Sequence, residues 1–282
     1  MRPKRPTPTD FDPNTVPIRP AATVMIVDDR PDLQVLLIER NANMTFAGGM
    51  WVFPGGAVDP GEADEFEPHC DGLDDAAASA TLGLDQGGLA YWVAAIRENL
   101  EEAGLLLGRT ADGGAIDAHA LADDRRDLND RKLSFLEIVR NHGLILDTSA
   151  VHYIAHWVTP LGSPRRFSAR FFVSSPPRGQ SVQHDESETV GWAWMSPQDA
   201  LARFDAGDMV MMTPTVRMLR SLALFDSADA VLHAASAGLA DEQCRGRYEA
   251  DGSYTVVLPG DPGYEEGDPT VETGFVRLRP VN

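Results

Sequence analysis

The chain has 282 residues, 43% of them hydrophobic, which suits one large globular domain with extensions. Its formal net charge is −19. Such a chain repels a nucleic-acid backbone unless a basic patch overrides the mean, and none is visible: residues 125–132, RRDLNDRK, interleave acids and read as a solvated helix start. No apolar run approaches the roughly 18 residues of a membrane span, so neither nucleic acid nor membrane is an expected partner.

Residues 1–20 are basic and Pro-rich, without the apolar stretch of a secretory signal, and read as an N-terminal arm. Cys70 and Cys244 lie far apart and form no CxxC pair, which fits a reducing cytoplasm. Residues 22–28 and 33–39 are β-formers around DRPD and predict a hairpin. MWVFPGGAV (50–58) reads as a short strand entering a glycine turn. Residues 63–88 are acidic, small and Gly-containing, a loop-like insertion with room for a short helix at 73–82.

From Leu89 the period changes. Leu89, Trp92, Val93, Ile96, Leu100 and Ala103 follow helical spacing, with Glu98, Glu101 and Glu102 on the opposite side and Gly104 or Gly108 as closing residues. A second helix is expected over 133–143, ending near Gly143. Strands are expected over 151–158, 166–174 and 189–195. Ser196–Pro197 and Thr213–Pro214 read as helix openings, each an N-cap followed by Pro at N1. The last fifty residues carry one clear strand, SYTVVLP (253–259).

Two stretches carry chemistry. Three carboxylates one turn apart repel by roughly 0.2–0.5 kcal/mol per pair, so an unpartnered cluster is unfavourable. A solvated acidic face is the ordinary reading of such a cluster. Its density, the preceding Arg97 and the core stripe opposite suit a hard divalent cation such as Mg²⁺, which takes oxygen ligands and leaves room for water and phosphate oxygens. Upstream, Gly55-Gly56 after Pro54 allows close approach of backbone to a ligand. A carbonyl of such a turn is a further metal ligand. If the turn packs on the helix start, Glu62 pairs with Arg97.

GGAVDPGE (55–62) followed by RENLEEAGL (97–105) resembles the Nudix box, G-x5-E-x7-R-E-U-x-E-E-x-G-U with U aliphatic. Gly56, Glu62, Arg97, Glu98, Glu101, Glu102, Gly104 and Leu105 match by residue type. Two positions depart: 34 residues (63–96) replace the seven between Glu62 and Arg97, and Asn99 stands at an aliphatic position, at the edge of the core stripe. The split box is similar to that of the peroxisomal coenzyme A diphosphatase-like branch. So are the Arg-containing lead-in from Val35 to Gly56 and the later HWVTP, RRFSARFF and GWAWMSPQDAL blocks; the likeness spans roughly residues 20–225.

The resemblance implies an α+β Nudix fold, a mixed sheet between helices. The domain would cover 21–228, with the insertion 63–88 inside the box and a C-terminal extension over 229–282. It implies a metal-dependent hydrolase, with Mg²⁺ or Mn²⁺, acting on a small nucleoside diphosphate linked to a group X. Glu98, Glu101 and Glu102 would be metal ligands with the Gly55 carbonyl as a fourth candidate. One Glu or a later acid would be the general base, and Glu62 and Arg97 would hold loop to helix. Coenzyme A or its thioesters are the favoured substrate, with ADP-ribose, NADH or nucleoside triphosphates as alternatives. A non-catalytic nucleotide-binding module is the alternative of another class, and a structural protein with an incidental acidic helix a third. A homodimer is compatible with all of these.

Outside the box, Arg40, Arg165, Arg166 and Arg170 are candidate phosphate contacts, Arg40 and Arg166 ahead of Arg165, against surface charge as the ordinary reading. Glu188, with Glu186 nearby, is a candidate late acid. Phe46 and Trp51 suit either adenine stacking or strand packing, the latter favoured. His69-Cys70 has no second metal pair and reads as loop. Trp192 and Trp194 read as core or interface.

Overall fold

The β-formers of residues 18–40 make the strand on which the site is built. The computed structural model describes residues 12, 15–42, 47–59, 61–160, 163–183, 189–248, 254–270 and 274–281. β1 (Ile18–Asp29) turns into β2 (Leu33–Arg40), as expected, but it begins earlier, within the segment read as an arm. After β3 (Trp51–Val52), the glycine turn itself is a strand, β4 (Gly55–Ala57). β1 pairs with β2 only over Val27–Asp29; its first half, Ala21–Thr23, pairs antiparallel with β4. The glycine turn is thereby ruled to β1 by backbone hydrogen bonds.

The insertion is ordered, contrary to the loop reading. It holds α1 (Glu62–Phe66), a 3-10 turn (Glu67–His69), β5 (Cys70–Asp71) and α2 (Asp75–Leu82). Asp74 caps α2 by accepting from the Ala77 N–H at 2.8 Å. The site helix α3 (Leu89–Ala103) follows. Its N-terminus is held by α2: Asp75 Oδ1 accepts from the Leu89 N–H and Oδ2 from the Gly87 N–H, both at 2.9 Å, while Ser79 Oγ accepts from the Gly88 N–H at 2.8 Å. These side chains satisfy donors that a helix start leaves open.

Next come β6 (Gly108–Thr110), α4 (Ala122–Asn129), α5 (Phe135–Asn141) and β7 (Leu144–Asp147). Gly108 lies in a strand, so Gly104 alone closes α3. Residues 125–132 form the end of α4 and its exit, and Arg125 is buried; they are not a solvated helix start. α5 opens on a capping box of Ser134 and Glu137. β7 pairs parallel with β5 and antiparallel with β6, and Phe66 stacks on Phe135 at 5.3 Å, so the insertion is sewn to the chain beyond the box.

β8 (His152–Val158), β9 (Arg166–Ser174) and β10 (Thr189–Met195) fall where the alternation predicts. They precede α6 (Pro197–Ala206), α7 (Thr213–Leu222) and α8 (Ala228–Ser236). Ser196 caps α6 as read, through the Asp199 N–H at 3.1 Å. Thr213 does not cap α7: it is already the first helical residue, Met212 precedes it, and no side chain caps that end. β11 (Glu242–Gln243), β12 (Arg245–Tyr248), β13 (Tyr254–Val257) and β14 (Phe275–Val276) complete the chain.

Among the described residues one mixed sheet of nine strands runs β10-β2-β1-β9-β8-β14-β11, with β3 on β2 and β4 on β1. β1 and β9 pair in parallel over Ile18–Ile26, and the other pairs within it are antiparallel. Strand alternation divides β1 between two cores. Ala22, Val24 and Ile26 face α3 together with residues from α1, α2 and α5. Met25 and Val27 face the opposite layer, built from α6, α7, α8 and the C-terminal strands. The expected sheet between helices is present, and the C-terminal segment joins its second core. No described helix is long and apolar enough to cross a membrane.

A Cβ added at Gly88 would lie 2.3 Å from the Ser79 backbone nitrogen and 2.5 Å from its Cα, so α2 crosses the start of α3 at backbone contact. Gly88→Ala should therefore lose about 1–3 kcal/mol by overpacking, and Asp75→Ala about 1 kcal/mol by loss of the cap. Thermal unfolding of both variants checks this; a Gly88→Ala protein melting like the parent would contradict the tight crossing.

Candidate active site

The turn on β4 and the third turn of α3 meet because both pack on β1. Glu98 settles on Gly56: a Cβ there would lie 2.4 Å from Oε1 and 2.5 Å from Oε2. Only a residue without a side chain leaves that space for the carboxylate. Glu102 is 3% exposed and has both oxygens engaged. Oε2 accepts from the Gly55 N–H at 2.8 Å, and Oε1 from Arg40 Nη1 at 3.1 Å. The contact that Gly55 makes with the acid cluster is thus through its N–H.

Arg97 joins the two stretches. Its Nε donates to Glu62 Oε1 at 3.0 Å, Nη1 to Glu98 Oε1 at 2.8 Å and Glu101 Oε1 at 3.0 Å, and Nη2 to the Ala57 carbonyl at 2.7 Å. Burial works against its charge, but Glu98, Glu62 and Glu101 outweigh it and hold its pKa above the ordinary arginine value. Glu62 is raised above the ordinary carboxylate value, because burial exceeds the attraction of Arg97. The expected Glu62–Arg97 pair is present, and Glu62, Glu98, Glu101, Glu102, Gly55 and Arg40 are gathered with Arg97 in one place.

The glutamates do not stand on an open face. α3 is enclosed on nearly all sides, only Arg97 and Glu101 being half-buried, because β4 and α1 cover the side left by the core stripe. Asn99, at the edge of the stripe, is fully buried, and its Nδ2 donates to the Leu105 carbonyl at 2.7 Å. A polar residue at this aliphatic position ties the helix to the chain leaving it. The Glu101 carbonyl, an open acceptor of the last turn, receives Arg125 Nε and Nη2 at 3.0 and 2.7 Å and Asn129 Nδ2 at 3.4 Å. Sequence reasoning missed Arg125, Asn129 and Asp75. Only Asp75, in the aspartate pair that opens α2, carried a local signal, that of a cap.

The other candidates lie elsewhere. Arg166 donates from Nε to the Thr159 carbonyl at 3.0 Å and stands opposite Ile18, away from the acids. Arg165 is exposed. Arg170 is buried, donating to the Leu82 carbonyl at 3.2 Å with its guanidinium 4.5 Å from the Tyr91 ring centre. Trp51 packs into the second core, as the favoured reading had it. Trp194 packs against the first core, whereas Trp192 is 40% exposed. Cys70 pairs in β5, and its thiol is pushed up to about 12 by burial. Glu186, Glu188 and Phe46 lie outside the described residues.

The NUDT19 Nudix domain family matches residues 74–222, and the NUDIX domain family residues 17–66. Among curated relatives, "Acyl-coenzyme A diphosphatase NUDT19" of Gallus gallus is 28% identical, over 88% of this chain and 80% of its own length. The protein of the same name from Homo sapiens is 29% identical, over 85% and 74%. A NUDIX hydrolase from Alicyclobacillus acidocaldarius, solved by crystallography, superposes with a TM-score of 0.67 at 28% identity, over 78% of this chain and 97% of that one. The chain belongs to the Nudix hydrolases, and among them to the NUDT19 Nudix domain family. It is an enzyme of that class.

Gly56→Ala should push the Glu98 carboxylate off its seat while leaving the core intact. Misplacement by about 1 Å costs about 10²-fold in turnover. Turnover measured beside a melting curve checks this: activity should fall with the melting temperature held.

Proposed function

We propose that this hydrolase cleaves the diphosphate of coenzyme A or an acyl-coenzyme A with the help of a divalent cation. The observation that carries the chemistry is the convergence of Glu98, Glu101 and Glu102 with Gly55 and Arg97 across a box interrupted by 34 residues. The substrate reading rests on the relatives named as acyl-coenzyme A diphosphatases, which span most of the chain. ADP-ribose, NADH and nucleoside triphosphates are the competing substrates.

Among the described residues no three side chains already stand as a ligating cluster, since Arg97 and Arg40 draw the carboxylates to themselves. The donor set nevertheless fits a hard cation: every group is oxygen, and Gly56, having no side chain, leaves room for the Glu98 carboxylate. Glu98, Glu101 and Glu102 would hold it, with the Gly55 carbonyl as a further ligand, and Mg²⁺ or Mn²⁺ is the proposed ion. Once bound, the ion supplies charge neutralisation at the diphosphate and a lowered pKa for water. In the reaction, water adds its oxygen to one phosphorus, the bridging P–O bond breaks, and a box carboxylate takes the proton. Arg97 and Glu62 keep turn and helix in register throughout, and Arg40 orients Glu102. Cys70 and Cys244 form no disulfide, which supports a reducing compartment, for which we propose the cytoplasm.

Incubation with Mg²⁺ and, separately, coenzyme A, ADP-ribose, NADH and ATP, followed by mass spectrometry, tests the proposal. Coenzyme A should yield 3′,5′-ADP and 4′-phosphopantetheine, and chelation should abolish this. If Glu102 takes the proton, Glu102→Gln should lower the rate by about 10²–10⁴-fold. Cleavage of another substrate alone would discard the coenzyme A reading, and no cleavage at all would favour a binding module.

A further inference from the structure

The exposed indole of Trp192 is unusual for a residue in the middle of a strand. Trp192 stands opposite Ile38 and Trp194 opposite Leu36. Leu36 belongs to the core under α3, and strand side chains alternate, so Trp192, Trp194, Ile38 and Arg40 share the α3 face. Arg40 proves that face by reaching Glu102. Trp192 and Arg40 are diagonal neighbours, roughly 7–8 Å apart, within reach of long and aromatic side chains.

Three features make this a receiving surface. Among the described residues β10 is the end strand of the sheet. Its ladder breaks in a bulge between Thr189 and Gly191, opposite Arg40, and bulges gather beside active sites, where they re-aim side chains. The neighbouring indole, Trp194, already receives a planar group: the Arg30 guanidinium lies 4.0 Å from its ring centre. Trp192 keeps 40% of its surface open, on the diagonal from the Arg40 that reaches Glu102.

We infer that Trp192 is the stacking platform for the nucleobase of the substrate. An indole face accepts any base through its π-surface without reading its hydrogen-bonding edge. The diagonal from Trp192 to Arg40 is of the order of the span between a base and the diphosphate it carries. The inference rests on the hydrolase reading only for where the diphosphate lies.

Calorimetric titration of the full chain with ADP and Mg²⁺ tests it, using the parent, Trp192→Ala and Trp192→Phe. Stacking supplies about 1–3 kcal/mol per base, so the alanine variant should bind ADP about 5- to 150-fold more weakly. The phenylalanine variant should recover most of that loss. With coenzyme A, KM should rise in Trp192→Ala while kcat holds. Equal ADP affinity in parent and alanine variant would overturn the inference. So would unchanged affinity with a smaller oligomer on gel filtration, which would make Trp192 a contact between copies of the chain. ADP affinity is read without turnover, so Trp192-dependent binding in a chain that leaves coenzyme A intact would keep this inference and sink the substrate proposal.

Discussion

One guanidinium holds the site together. Arg97 touches Glu62, Glu98 and Glu101 and the carbonyl of Ala57, so a single cation bridges the turn, the start of the insertion and the helix. Without it, three glutamates within one helical turn would face one another in a place largely closed to water, where charge repulsion is weakly screened. Arginine suits this position because its fork offers several donors in one plane and keeps its charge. Arg40 does the same for Glu102 from the side of β2. The acid cluster is thus stored as ion pairs, and a metal-bearing state requires those pairs to be exchanged for cation contacts.

The 34 residues between Glu62 and Arg97 do not separate the halves of the box. Instead they brace them. α2 lies across the first turn of α3, with Asp75 and Ser79 accepting from three successive N–H groups at residues 87–89. β5 pairs with β7, which anchors the insertion to chain that follows the box. At the other end of α3, Arg125 and Asn129 accept the role of a cap on Glu101. The helix that carries the acids is therefore fixed at its start by the insertion and at its end by α4, and the glutamates project from a helix with little freedom to fray.

What was legible in the sequence was what depends on near neighbours. The hairpin, α3, the strands at 151–158, 166–174 and 189–195, and the pairing of Glu62 with Arg97 all follow from periodicity or motif. What escaped depends on distant partners. β5 and β14 have two residues each and exist only through pairing, β5 with β7 and β14 with β8 and β11. The enclosure of α3 comes from β4 and α1, which no helical wheel contains. Thr213 mimics a cap by its place before Pro214, yet the helix has already begun there. Asn99 departs from the motif at an aliphatic position, and the hydrogen bond from its Nδ2 to the Leu105 carbonyl depends on the turn that Gly104 makes.

The central claim is that two half-motifs form one cation site, and metal binding reads this without assuming any substrate. Mn²⁺ titration followed by electron paramagnetic resonance, on the parent and on Glu98→Gln, Glu101→Gln and Glu102→Gln, is the direct measurement. The account predicts that the parent depletes the free-ion signal and that the glutamine variants bind at least about tenfold more weakly, as loss of a charged oxygen ligand from a hard-cation site implies. Equal Mn²⁺ affinity in the parent and all three variants would contradict it.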